Sequence, residues 1–418
     1  MRVTRLQLRD FRSYERGELR LGPRLTVVAG RNGAGKTNLL EAIYFGCTGR
    51  SCRTANEREV VRFGAGLTRL VLEAEDERGA HEITVGFQPG EAKRLRVDGA
   101  PVDRLTDAEA RPLVSVFLPD RLELVVGAPA LRRAHLDQVV AALWPGRAGT
   151  RRAYTAALGQ RNALIAGIRA GRAGRGSLPA WDAELARHGV ALMRDRTEAV
   201  ERLVPRFHAH AADVGLEGDP DLAYRPRSKA TDPEQLAAEL AARIDADVER
   251  GFTGHGPHRD ELVFRRAGRE LRAYGSRGQQ RLGLLALLLA ERAELAEERG
   301  APPLMLLDDV MSELDAGRRE RLVEVLRAGG QSVIATTDLA HVPGSEDASV
   351  ERVAIADGRI LQAAAAQPSG TTAGADPRSG KAAGAPPSSG NAAGTHPSSG
   401  TATGAPPPAG HADDRLAG

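Results

Sequence analysis

The chain has 418 residues, 41% of them hydrophobic, and carries 58 Lys+Arg against 55 Asp+Glu for a net charge of +3. Its length exceeds one typical core and implies more than one structural unit, while the near-balanced charge excludes binding of nucleic acid by overall basicity alone. The start, Met1-Arg-Val-Thr-Arg-Leu-Gln-Leu, lacks the apolar stretch of a signal peptide, and no run reaches the roughly 18 apolar residues of a membrane helix, so a cytoplasmic protein without a membrane partner is expected.

Val3–Leu8 and Gly17–Leu21 alternate like strands, and Leu25–Ala29 reads as a buried strand. Gly30-Arg31-Asn32-Gly33-Ala34-Gly35-Lys36-Thr37 follows and fits the phosphate-loop pattern G-x-x-x-x-G-K-[ST] at every fixed position. A helix over Asn38–Phe45 completes the strand–loop–helix context. Glycines let the backbone fold tightly, so that consecutive N–H groups point at phosphate oxygens, and the helix N-terminus adds partial positive charge. Lys36 would reach the β- and γ-phosphates of ATP, and the Thr37 hydroxyl would take a Mg²⁺ position. Lysine is rare here, with four (Lys36, Lys93, Lys229, Lys381) against 54 arginines; its presence in this loop fits a need for a compact ammonium. Cys47 and Cys52 make neither a disulfide framework nor a zinc site and read as buried or half-buried thiols of a reducing cytoplasm.

Leu67–Val97 has the period of an antiparallel meander, and Val114–Leu118 is a short buried strand. From Leu131 the spacing turns helical to residue 250, broken at 171–176 and at Gly215–Pro220. Pro145–His210 holds 12 Arg against 5 acids, and Ala211–Arg250 holds 5 basic against 10 acidic residues. The basic half is either a phosphate-binding face or solvated helix surface. His255, His258 and Asp260 have metal-ligand chemistry, but the Gly and Pro of their turn suit packing better.

A strand at Glu261–Phe264 precedes Ser276-Arg-Gly278-Gln279-Gln-Arg281 and a helix over Gly278–Arg299. A serine and a glycine at a helix start offer a hydroxyl and free N–H groups, a second phosphate-binding surface or an ordinary cap. The apolar strand Pro303–Leu307 ends in Asp308 and Asp309. Asp308 would hold Mg²⁺, and Asp309 would orient or deprotonate the attacking water. A helix (Ala316–Ala328), a strand (Gln331–Thr336) and a hairpin (Val353–Leu361) follow. In the last segment Ser-Gly recurs at 369, 379, 389 and 399; such a composition buries too little apolar surface to offset its ordering entropy, so disorder is expected.

Phosphate loop, insertion, S-x-G-Q-Q, two carboxylates after an apolar strand, then Ser312-Glu-Leu-Asp315: this order resembles the ABC-type ATPases. Leu6-Gln-Leu-Arg-Asp-Phe11-Arg12-Ser-Tyr14 and Gly33-Ala-Gly-Lys-Thr-Asn38-Leu-Leu-Glu-Ala42 are similar to SMC-type and RecF-type heads. Pro119-Asp120, Gly127-Ala-Pro129-Ala-Leu-Arg132-Arg133, Leu136-Asp137, Tyr154, Gln160-Arg-Asn162, Trp181-Asp182 and Gly256-Pro-His-Arg-Asp260 resemble the RecF family over about residues 1–361.

The resemblance implies an α/β ABC/SMC-type ATPase head with an antiparallel β-subdomain, built from residues 1–118 and 252–361. It implies an inserted helical arm at 119–251, followed by a disordered tail at 362–418. It adds Asn38, Ser312 and Asp315 to the nucleotide-binding residues, with the serine motif (Ser276, Gly278, Gln279) of one subunit closing on the ATP held by the other in an ATP-driven homodimer. Arg12 is the candidate second nucleotide contact, a surface arginine being the alternative. The implied partners are DNA, as duplex and single-strand/duplex gap junctions, with RecR directly and RecO and RecA indirectly. The implied outcome is RecA loading and SOS induction. Three departures stand out. His135 replaces an aromatic residue, Thr336-Thr337-Asp338 stands where transporter ATPases place a His, and Asp309 replaces the commoner Glu. The shorter Asp309 predicts slow hydrolysis. The alternatives are a transporter ATPase, which the Arg-rich arm disfavours, an SMC-like structural protein, which the short arm disfavours, and a nuclease-associated ATPase of the same superfamily.

Overall fold

In the computed structural model residues 1–108 and 110–361 are described; the disorder expected for 362–418 lies outside the described residues. The alternating N-terminal segments form β1 (Arg2–Phe11) and β2 (Tyr14–Arg20), and the apolar run forms β3 (Leu25–Ala29). The glycine-rich loop opens α1 (Lys36–Thr48). The period-two stretch gives β4 (Thr68–Asp76), β5 (Gly79–Phe87), β6 (Arg94–Val97) and β7 (Ala100–Pro101), followed by β8 (Val114–Phe117). Next come α2 (Glu123–Val126), α3 (Pro129–Leu143), α4 (Ala148–Arg169) and α5 (Leu178–Asp213). They lead to β9 (Pro220–Arg225), α6 (Pro233–Ala241) and α7 (Ile244–Arg250). The chain returns through β10 (Glu261–Arg266), β11 (Arg269–Glu270), α8 (Leu271–Tyr274) and α9 (Arg277–Arg299). It ends on β12 (Leu304–Asp308), α10 (Ala316–Ala328), β13 (Ser332–Thr336), β14 (Val350–Ala356) and β15 (Arg359–Leu361).

Strand composition sorts these elements into sheets. β3, β12 and β13 are apolar on both faces, as buried parallel strands must be, and they lie inside a sheet of order β15-β14-β3-β13-β12-β8. All its pairings are parallel except β14 with β15. β1 and β4 alternate instead and belong to an antiparallel sheet of order β2-β1-β4-β5-β6-β7. A bulge between Val3 and Arg5 in β1 lets Val3 and Leu6 both face the core despite their odd spacing. That core fills the space between the antiparallel sheet, α1 and one face of the parallel sheet, with Phe11, Leu39, Phe45, Leu72 and Val333 fully buried.

The inserted arm is mixed rather than purely helical. Pro220–Arg225, within the stretch expected to be helical or broken, is strand β9 and pairs antiparallel with β10 over the whole of its length. Only Leu222 is fully buried along it, so its period is too weak to read locally; a distant partner creates the strand. The 36-residue α5 joins two cores. Leu185 and Leu192, in its first half, pack with Tyr154, Leu236 and Leu240 in a small core of the arm. Leu203 and Phe207, further along, share the large core with Leu284, Leu288 and Leu295 of α9. Among the described residues, no helix is long and apolar enough to cross a membrane.

Candidate nucleotide-binding site

β3 lies between β13 and β14, so its C-terminal end opens at the middle of the parallel sheet, where α/β folds place their ligand crevices. Gly30 is tied to β13 by its N–H donating to the Thr336 carbonyl at 3.2 Å. A Cβ on Gly30 would stand 2.5 Å from the Ile355 carbonyl oxygen, and Gly33 and Gly35 have φ of +79° and +115°. Only glycine satisfies all three positions without strain. No side chain caps α1, leaving its first N–H groups for an anion. Lys36 is nearly buried, and its ammonium donates to the carbonyls of Gly30 (2.7 Å) and Arg31 (3.0 Å). Arg31, Asn32 and Gly33, at the loop's crest, are exposed, while Ala34 accepts from the Gly358 N–H at 3.1 Å.

The structure brings the expected acidic partner to this loop. Thr37 Oγ1 donates to Asp308 Oδ2 at 2.6 Å, across 271 residues of sequence. Burial pushes the Asp308 carboxyl above its ordinary range, opposed by the Thr37 hydrogen bond and the Lys36 charge. Asp309 has φ of +49°, a left-handed conformation that Asp tolerates better than most residues. Its Oδ1 is buried with no hydrogen-bond partner. A hydroxyl, a carboxylate and a neighbouring unsatisfied carboxylate oxygen form a hard oxygen donor set that fits Mg²⁺ supplemented by phosphate oxygens and water. Ser312 Oγ donates to the Asp309 carbonyl (2.9 Å), and Asp315 caps α10 by accepting from the Arg318 N–H (2.9 Å). Both therefore shape the turn behind Asp309.

Arg12 lies on a different footing. Its Nε and Nη2 donate to the two oxygens of the fully buried Glu41 at 2.9 and 2.8 Å, and its Nη1 is 3.6 Å from Glu59. Glu41 also accepts from Ser51 Oγ (2.5 Å) and Arg53 (3.2 Å). The next two residues brace the phosphate loop: Tyr14 Oη donates to the Gly35 carbonyl at 2.9 Å, and Asn38 Nδ2 donates to Ser13 Oγ at 3.0 Å. The importance of Glu41, Ser13 and Tyr14 is absent from the motif reading. The available signal was one acid inside the apolar run Leu39-Leu-Glu-Ala-Ile.

Ser276 caps α9 in a reciprocal box. Its Oγ accepts from the Gln279 N–H at 3.3 Å, and Gln279 Oε1 accepts from the Ser276 N–H at 2.9 Å. Ser276 and Gly278 are exposed. A cavity of about 300 Å³ separates this cap from Asp308 and Asp309, with Leu285, Leu314 and Arg318 on its walls. Among the described residues, no hydrogen bond joins the Ser276 cap to the 30–37 loop. Thr336 Oγ1 donates to the Asp338 carbonyl (2.9 Å), so this departure from the transporter pattern is a local turn.

The arm motifs make a polar core. Arg161, fully buried, donates to Asp182 (2.6 Å), Asp247 (2.8 Å) and Thr253 (2.7 Å). Arg196 binds Asp137 (2.8 Å) and Asp260 (3.1 Å), and Asp260 also accepts from the Tyr224 hydroxyl. His258 pairs with the Tyr154 hydroxyl (2.7 Å), His255 with Glu239 (2.5 Å) and His135 with the buried Glu291 (2.6 Å). Burial pushes the Cys47 and Cys52 thiols up to about 12, which leaves them neutral.

Residues 2–350 match the family model described as the RecF/RecN/SMC N-terminal domain. The chain is 40% identical over 353 residues to the DNA replication and repair protein RecF of Anaeromyxobacter sp. (strain Fw109-5), covering 81% of this chain and 93% of that protein. It is 37% identical over 382 residues to the protein of the same description from Frankia alni (strain DSM 45986 / CECT 9034 / ACN14a), covering 87% and 100%. The solved structure of the recombination mediator protein RecF-ATP in the RecFOR pathway superposes with a TM-score of 0.76 at 26% identity, covering 87% of this chain and 98% of that one. The SmcHead bound to the C-winged helix domain of ScpA shares the fold, with a TM-score of 0.52 at 16% identity and coverage of 87% and 97%.

Proposed function

The chain belongs to the RecF family of DNA replication and repair proteins, and on that premise we propose that it works as an ATP-driven switch that closes as a homodimer on DNA. The observation that carries the reading is the 2.6 Å contact between Thr37 and Asp308 beside the unpartnered oxygen of Asp309. ATP phosphates take the N–H groups of Gly35 to Asn38, at the uncapped start of α1. Lys36 exchanges its two loop carbonyls for phosphate oxygens. Thr37 and Asp308 would hold Mg²⁺, which would supply neutralisation of charge on the transferred phosphoryl group. Asp309 orients the water and accepts its proton; its short side chain makes hydrolysis slow.

Ser276, Gly278 and Gln279 of a second subunit complete the site, with Ser312 and Asp315 at the same seam. The exposure of a fully formed cap supports this reading. Arg12 serves the nucleotide through Glu41 and the turn that braces the loop. DNA, as duplex or at single-strand/duplex gap junctions, is held by arginine–phosphate contacts with little sequence readout. RecR is the direct protein partner; RecO and RecA act downstream, with RecA loading and SOS induction as the outcome, in the cytoplasm. The RecFOR pathway named for the solved neighbour supports RecO and RecR as partners.

Subunit mass and DNA binding, measured with ATP, ADP and no nucleotide, test the switch. An ATP-only dimer that holds DNA, lost in both Lys36→Met and Ser276→Arg, is expected. Tight, nucleotide-independent DNA binding by a monomer would overturn it.

A further inference from the structure

The outer face of the antiparallel sheet carries a charge arrangement that its own packing does not explain. Arg9 of β1 stands directly opposite Arg16 of β2 and directly opposite Arg69 of β4. The row continues through Gly86 of β5 to Arg94 of β6. Directly opposed residues share a face, and all four arginines are exposed. Like charges placed opposite one another destabilise a sheet. Two pairs further along the same face Arg5 also stands opposite an arginine, Arg20, but there Glu18 (2.8 Å) and Glu73 (3.1 Å) neutralise Arg5. In the arginine row the acids are few. Asp10 is 3.5 Å from Arg9 but closer to Arg62 (2.8 Å), and Glu91 is 3.3 Å from Arg94. Glu15 is the chain neighbour of Arg16, yet among the described residues Arg16 and Arg69 have no acidic partner.

A second observation falls at the same end of the sheet. The loop 61–67 is pinned there by the Arg62 N–H donating to the Asp10 carbonyl (2.9 Å) and by Thr68 Oγ1 donating to the Arg9 carbonyl (2.8 Å). It presents Phe63 at 99% exposure and Leu67 at 47%. An aromatic ring so exposed gains nothing for the fold.

We propose that this face is a nucleic-acid surface, on which the sugar-phosphate backbone of a single strand runs along Arg16, Arg9 and Arg69 and an unpaired base stacks on Phe63. The three arginines span about 10 Å, two strand spacings, and each side chain can swing to meet the irregular phosphates of an unpaired strand. An acidic protein would satisfy the arginines alone. Arginines beside an isolated, fully exposed aromatic match the pairing of backbone charge with a stacking platform used for single strands. The inference rests on the DNA-binding reading above and assigns that activity a place.

The test uses the full chain with ATP, a fluorescein-labelled oligo-thymidine and a blunt duplex, each titrated across salt. Arg16→Gln/Arg69→Gln is expected to flatten the single-strand log–log salt slope by roughly 1.4, about 0.7 per lost phosphate contact. Phe63→Ala is expected to weaken oligo-thymidine binding about five- to a hundredfold with the slope unchanged, and to leave the duplex nearly unaffected. ATP affinity stays at the parent value in both variants and the thermal midpoint does not fall, rising slightly where the opposed arginines are removed, which separates a lost contact from a lost fold. Parent-like binding and slope in both variants overturns the surface while the DNA-binding reading stands. Absence of DNA binding by the parent chain under every nucleotide condition overturns both.

Discussion

The two elements proposed to bind phosphate are built in opposite ways. The 30–37 loop is held at three points by residues distant in sequence: Thr37 by Asp308, Gly35 by Tyr14, Gly30 by Thr336. The Ser276 cap holds only itself, through the reciprocal bonds with Gln279, and faces outward. One element is finished within the chain; the other is shaped in advance and, among the described residues, is separated from Asp308 and Asp309 by a cavity. A local cap can be exposed because it is self-sufficient, whereas a phosphate loop with two positive-φ glycines needs a surrounding fold to fix it.

Mutations can sharpen this contrast. The largest effect is expected from Asp309→Asn. Asparagine accepts the left-handed backbone and leaves the site's shape intact, so single-turnover hydrolysis should fall about a hundred- to ten-thousandfold while ATP affinity stays near the parent value. A comparable loss of affinity would instead make Asp309 a shape-determining residue. Glu41→Ala attacks the foundation of the finished element. It strands Arg12, Ser51 and Arg53 around a fully buried position, and urea unfolding should show a loss of about 3 kcal/mol. Stability within 0.5 kcal/mol of the parent, an ordinary surface effect of about that size, would show that the loop needs no such support.

Lys36→Met removes the charge-assisted donors, so ATP affinity by calorimetry should drop roughly a hundredfold. Ser276→Ala should give the smallest change in the monomer, about 1 kcal/mol of stability from the lost cap and no change in monomer ATP affinity. A fall in monomer affinity would mean that the cap already serves the nucleotide in its own chain, across the cavity it shares with Asp308 and Asp309.

The same contrast marks what the sequence discloses. The loop, the strand ending in Asp308 and the Ser276 cap are local patterns with fixed spacing, so each was legible, as were the buried parallel strands and the meander. The braces were not. Arg12 was legible as important, but its tie to Glu41 depends on how β1 lies over α1, and Tyr14 reaches Gly35 only because β2 turns back beside the loop. β9 escaped for a related reason: its pairing with β10 lies some 40 residues away, and one buried leucine is no period. Arg161, Asp137, Asp182 and Asp260 were recognised by resemblance and Arg196 was not singled out; their physical task, satisfying guanidinium groups taken out of water, became visible only with the carboxylates assembled around Arg161 and Arg196.

The length of α5 has a mechanical consequence. At 36 residues it extends about 54 Å, with one part packed on α9, the helix that Ser276 begins, and the other clamped by Arg161 through Asp182. Such a helix, continuous through Pro205, would act as a lever if the proposed closure of two subunits moves α9. A tilt of about 10° at α9 would sweep the far end through roughly 9 Å on that length. The closure proposed above, a movement of a few ångströms, would thereby reach the arm as a wider stroke.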